Sequence, residues 1–284
     1  MKKWLRKITP TRVATYLFLI ALVTFTALPL VYLVSSAFKP LNELFVFPPR
    51  FFVRHPTMAN FSELLFAVSS SAVPFARYFF NSVLVSVLGV GVTVIVCSMA
   101  TYAITKLELP FAGTIFSLII AALMFSPPVA QLSNYVLINQ LHLMNTYWAL
   151  ILPKAAGAYY FFLMRQNLIL IPNAIIESAR IDGCGAWKVY TKMILPLSKP
   201  VLATIVVFAF VANWNDFYSP LIYINNEVLK TLPLALQMLQ GGTGQVARSG
   251  AVAAALLLTT APTILVFTFM QSKVINTMAH TGIK

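Results

Sequence analysis

Apolar residues fall along this chain in six long blocks, near 13–36, 80–104, 112–131, 146–166, 201–223 and 250–271. About 20 apolar residues at a rise of 1.5 Å each cross the hydrocarbon of a bilayer, and each block reaches that length. Backbone polar groups in lipid must be paired within the segment, so each block is expected to be a helix. A barrel would instead show segments of about ten residues with alternating polarity. The pattern therefore predicts an all-α integral membrane protein with six transmembrane helices. Two interruptions stand out: the third block runs into Pro127-Pro128, and the fourth carries Pro153 and Lys154. The basic start, Met1 to Lys7, has the character of a signal-peptide n-region, but the apolar run behind it is too long, so it reads as the first membrane helix.

Composition strengthens this reading. Of 284 residues, 59% are hydrophobic and 10% charged, against roughly 25% charged in soluble domains. One soluble core could not hide that much apolar surface. The net charge is +13, and its distribution makes it topological. If both termini lie in the cytoplasm, thirteen Lys and Arg fall inside, six outside, and Lys154 within a block, as the positive-inside rule requires. The charge thus needs no nucleic acid. The long 37–77 loop then lies outside, and its Pro48-Pro49 and Pro56 predict an irregular cap with a short helix. Cys97 and Cys184 form no C-x-x-C and carry neither a disulfide nor a metal site in this reading.

Chemistry has little foothold. There is no Gly-Lys dipeptide, hence no phosphate-binding P-loop, and no H-E-x-x-H or G-x-S-x-G. The fourth loop is the informative stretch. Asn173 is placed to cap a short helix over Ala174–Asp182, and Gly183 stands where a left-handed C-terminal cap belongs. Ile175, Ile176 and Ala179 share one side by their spacing, while Glu177 and Arg180 project elsewhere. A second stretch from Ala186 stops at Pro196, and Pro200 opens the fifth block.

Glu177-Ser178-Ala179, then Gly183, then Leu195-Pro196, resembles the EAA loop of binding-protein-dependent ABC importer permeases: E-A-A, three residues, G, nine residues, I-x-L-P. Ser178 replaces an alanine and Met193 the isoleucine. Arg180-Ile181-Asp182-Gly183, Asn81-Ser82 and Trp214-Asn215-Asp216-Phe217 are similar to the MalG-like carbohydrate branch. The resemblance covers essentially the whole chain. It implies a type I importer permease fold with both termini cytoplasmic, one transmembrane domain over 1–284 with a permease core at 78–272, and a cytoplasmic coupling loop at 171–200. It also implies a bacterial inner-membrane location, a second permease subunit, two copies of a cytoplasmic ATPase that hold ATP and Mg, and an extracytoplasmic solute-binding protein. This chain would bind no cofactor and would not be an enzyme. Glu177, Ser178, Ala179, Arg180, Asp182, Gly183, Leu195 and Pro196 would couple it to the ATPase, with Ala179 and Gly183 allowing close approach and Glu177 orienting the helix.

Inside the membrane, Asp216 lies roughly 22 Å along the fifth block. A carboxylate at mid-helix costs about 2.5–3.5 kcal/mol on insertion scales. With Asn213, which shares its face at i, i+3, and with Trp214 and Tyr218, it suits either a polar wall of the translocation pathway or polar glue between helices. Lys154 reads as a side chain that snorkels to the interface. A secondary carrier or channel working without ATP is the other functional class. Such proteins often show internal repeats and paired intramembrane charges, and the sequence gives no sign of either.

Overall fold

In a computed structural model, the chain is described over residues 10–69, 73–107, 109–125, 127–240 and 248–281. Its regular structure there is helical throughout. Packing divides it into two units, Met1–Val68 with Leu239–Leu258, and Ser69–Met238 with Thr259–Lys284.

The first unit opens with α1, Pro10–Phe38, a helix that runs straight through Pro29. Its flanks are bare: Phe25 is 74% exposed and Tyr16 66%. An apolar surface of that extent is stable against lipid or another subunit, not water. The turn after it is stitched by side chains. Asn60 Nδ2 donates to the carbonyls of Ala37 (2.9 Å) and Lys39 (2.7 Å), supplying partners that helix-terminal carbonyls lack. The short α2, Leu41–Leu44, carries Glu43, which accepts the backbone N–H of Arg54 and of His55, each at 3.1 Å. Helix α3 follows at Ala59–Ser69. The irregular cap with a short helix expected for this loop is therefore present, and it is organised around buried Lys39, Glu43 and Asn60.

The second unit is built on α4, Phe75–Lys106, about 48 Å long. Its buried positions are mostly small or hydroxyl-bearing: Ser82, Ser86, Gly89, Thr93, Cys97, Ser98 and Thr101. Lipid tails give apolar side chains no reason to leave them for each other, so helices in membranes associate through close backbone approach at such residues. Packed on this stripe are α7 (Tyr147–Ala155), α8 (Ala158–Ile169) and α12 (Lys199–Trp214). Between α4 and α7 come α5, Ala112–Ala122, and α6, Pro127–Gln140. The loop after α8 carries α9 (Asn173–Ile181), α10 (Ala186–Val189), a π turn at Tyr190–Ile194 and α11 (Leu195–Leu197). After α12 come α13 (Tyr218–Tyr223), α14 (Leu232–Gln240) and α15 (Ser249–Thr281), whose ends are shared between the two units.

Among the described residues, three helices are long and apolar enough to cross a membrane: Pro10–Phe38, Phe75–Lys106 and Ser249–Gln271. A fourth is added if Ala186–Leu197 and Lys199–Trp214, bent by 78°, count as one span. Six continuous crossings are not what the fold contains. The third block divides into α5 and α6 before Pro127, the fourth into α7 and α8 at Ala156-Gly157, and the fifth into α12 and α13 over 215–217. The third block leaves helical geometry after Ala122, and the next helix opens on Pro127. Pro196 does not stop its helix as expected. The ladder loosens into the π turn just before it, since Pro196 has no N–H to offer Lys192, and the chain bends two residues later at Ser198.

The Arg54 N–H bond holds the Glu43 carboxyl below its usual 4.5, reinforced by the His55 N–H and opposed by burial. A depressed carboxylate contributes stability that is fully present above its unfolded pKa and is lost as pH falls through the folded value. Hydrogen exchange at the Arg54 and His55 amides should therefore be slow at neutral pH. It should quicken, after correction for intrinsic rate, once the pH drops below the usual carboxylate range. Glu43→Ala should show the fast rate at every pH.

Candidate functional site: a capped surface helix and a polar break

Helix α9 has nine residues, too few to be stable by itself in water. Three features hold it. Ile176 and Ala179 are buried against Met164, Leu168, Val189, Tyr190 and Ile194, and full burial of one such isoleucine contributes about 1.5–3 kcal/mol. Its C-terminus closes in a Schellman motif: Cys184 N–H donates to the Ala179 carbonyl (2.9 Å) and Gly183 N–H to that of Arg180 (3.0 Å), with Gly183 at φ +80°. Its N-terminal end is tied to α4 by Lys106, whose Nζ donates to the Ile171 carbonyl and to Asn173 Oδ1, both at 2.7 Å.

The loop differs from the sequence reading in three respects. Pro172, not Asn173, occupies the N-cap position, and Asn173 is the first helical residue with its side chain turned to Lys106. Ile175 is 38% exposed and leaves the buried face to Ile176 and Ala179. Ala179 is thus small for the chain's own core. Glu177, Ser178, Arg180, Asp182 and Gly183 are exposed, Leu195 is half-buried and Pro196 exposed. The Ser178 hydroxyl bonds back to the Ala174 carbonyl at 2.7 Å, so its replacement of alanine adds no unmet polar group. Arg180 reaches the Lys106 carbonyl at 3.4 Å. Ile181 is 86% and Trp187 65% exposed, two large apolar side chains that sequence spacing does not single out. Behind Trp187, Tyr190 shares a hydrogen bond of 2.7 Å with Ser98 of α4.

The second polar cluster lies where α12 gives way to α13. Asn213 is buried, its Oδ1 without a hydrogen-bond partner among the described residues, and its amide sits against Gly89. A Cβ at Gly89 would come within 3.1 Å of Asn213 Nδ2. Trp214 is 2% exposed, stacked on Phe210, with Nε1 donating to the Thr259 carbonyl at 2.8 Å. Asp216 falls beyond the helix end, so it does not share a helical face with Asn213. Its Oδ1 accepts the N–H of Tyr218 and of Ser219, both at 3.0 Å, and so begins α13. Tyr218 is 42% exposed. Lys154 does not snorkel: its Nζ pairs with Asp216 Oδ2 at 2.5 Å. A charge pair between the fourth and fifth blocks is therefore present, against expectation. Two opposite charges, each isolated in an apolar block, were the signal that could have found it.

The architecture and the anchored loop helix define a helical membrane transport component. The family model "Binding-protein-dependent transport system inner membrane component" matches residues 99–278, and the chain belongs to that family, whose members are transport subunits rather than enzymes. It is 32% identical to the probable ABC transporter permease protein YurM of Bacillus subtilis, over all of this chain and 91% of that one. It is 28% identical to the arabinooligosaccharides transport system permease protein AraQ of the same species, over 96% of each. The fold superposes with a TM-score of 0.81 on a bacterial ABC transporter involved in the import of the acidic polysaccharide alginate. That likeness, at 19% identity, covers 93% of this chain and 98% of the other, and shows the type I ABC permease fold.

Gly183→Val should cost about 1–2 kcal/mol at the left-handed cap. The expected outcome is faster proteolytic nicking at 181–186 with the membrane helices still protected.

Proposed function

We propose that this chain is one of two permease subunits of an ABC importer. It translocates an oligosaccharide delivered by an extracytoplasmic binding protein, driven by two cytoplasmic ATPases that carry the ATP and Mg. In this reading the chain crosses a bacterial inner membrane six times with both termini in the cytoplasm, and three of the crossings are interrupted helices. The 37–77 loop lies outside. The observation that carries the reading is α9: a short helix, fixed from behind by Ile176, Ala179 and Lys106, presenting Glu177, Ile181 and Asp182 outward on the predicted cytoplasmic side. A helix so fixed passes displacement to α4 and α8 instead of absorbing it. The names of the arabinooligosaccharide permease AraQ and of the transporter involved in alginate import support the substrate class. Asn213, Trp214, Asp216 and Tyr218 are the residues we assign to the pathway, with Tyr218 the exposed member and Trp214 buttressing the break.

A carrier independent of ATP is the competing reading, favoured by the Lys154–Asp216 pair. Liposomes decide between them. The chain alone should take up no sugar under a proton or sodium gradient, whereas the complex with its second permease, ATPase and binding protein should do so with ATP. Gradient-driven uptake by the chain alone would replace the importer with a carrier. Glu177→Lys reverses the charge at an exposed position in the middle of α9. It should leave membrane insertion intact and reduce ATPase co-purification. Wild-type co-purification would remove α9 as the docking element.

A further inference from the structure

Resting on the importer reading, we infer that Lys154 is a positioning residue: its ion pair with Asp216 fixes the break in the fourth block against the break in the fifth and so sets where the pathway side chains stand. Lys154 is the penultimate residue of α7, just before the Ala156-Gly157 break, and Asp216 lies within the 215–217 break. The backbone at each break already has partners. Thr93 Oγ1 donates to the Lys154 carbonyl at 3.2 Å, and Cys97 Sγ lies 3.6 Å from the Ala155 carbonyl. Asp216 Oδ1 takes the amides of Tyr218 and Ser219. The bond from Lys154 Nζ to Asp216 Oδ2 is therefore not needed to satisfy either main chain; it joins two elements that nothing else at this level cross-links by charge among the described residues. Both side chains are largely withdrawn, at 25% and 14% exposure, so removing one partner strands the other in a low-dielectric setting, while removing both does not. Through Asp216 the lysine reaches the first turn of α13 and the exposed Tyr218.

The test is a double-mutant cycle on the full complex. Asp216→Asn keeps an oxygen for the α13 amides but drops the charge; Lys154→Met keeps the length and packing of the stem. Binding-protein-stimulated ATP hydrolysis and sugar uptake are measured per inserted subunit. Each single variant should take up sugar on the order of tenfold less per ATP hydrolysed than the wild type, and the double variant should return to within about threefold of it. Lys154→Arg should stay close to wild type. The inference is overturned if the single variants transport normally, if the double variant is as impaired as the worse single, or if only the amount of inserted subunit changes. If the wild-type complex shows no ATP-driven uptake, the importer reading fails instead. The pair is then scored by thermal unfolding of the four purified proteins, where additive shifts in midpoint would overturn it.

Discussion

In hydrocarbon a backbone carbonyl or amide without a partner has no water to turn to, and this constraint governs the second unit. Three of the apolar blocks break, and every break releases main-chain groups. The stripe along α4 meets that demand at the fourth-block break and along residues 228–232. Thr93 and Cys97 face the carbonyls around the fourth-block break, and the hydroxyl of Ser82 accepts the N–H of Leu232 at 2.7 Å. Asn81 donates to the carbonyls of Val228 and Lys230, both at 2.8 Å, while its own oxygen accepts the Tyr147 hydroxyl. The same residues are small enough to let α7, α8 and α12 approach. Helix packing and backbone satisfaction thus use one set of side chains, which is why α4 carries so many polar atoms inside an apolar span.

That arrangement also connects the two ends of the unit. Near its start α4 holds the chain from Val228 to Leu232 through Asn81 and Ser82. Near its end Ser98 meets Tyr190 and Lys106 meets the entry to α9. A continuous helix between these points is stiff along its axis, and the loop helix is bonded to it at both polar and apolar contacts. Movement of α9 therefore has a direct mechanical route to the side of the unit where the fourth and fifth blocks break. The route is read from position; coupling along it is what uptake per ATP measures.

Much of this was legible beforehand. The six blocks, the short helix after residue 172 and the left-handed Gly183 follow from hydrophobic length, turn chemistry and the spacing of Glu177, Gly183 and Pro196. The continuity of the blocks did not. Composition counts apolar residues but is blind to whether the hydrogen-bond ladder persists, and Ala156-Gly157 or Asn215-Asp216 are tolerated or broken according to what lies beside them. The same limit explains Asn173, which local preference makes an N-cap and which Lys106, sixty-seven residues away in sequence, recruits for a different bond.

The fate of Asp216 shows most clearly how sequence and structure divide the argument. Cost alone dictated that a carboxylate in an apolar block needs a partner or a wet cavity, and sequence gave both options equal standing. Geometry assigns its two oxygens separately. Oδ1 serves the amides that a new helix leaves open, as a capping residue does anywhere, and Oδ2 meets the ammonium of Lys154. Neither role requires solvent. The exposed edge of the cluster passes instead to Tyr218, whose backbone N–H the cap holds, while Trp214 is committed to Phe210 and the Thr259 carbonyl. In the proposed pathway a sugar hydroxyl reaching this break would meet the exposed tyrosine, with the ion pair behind it.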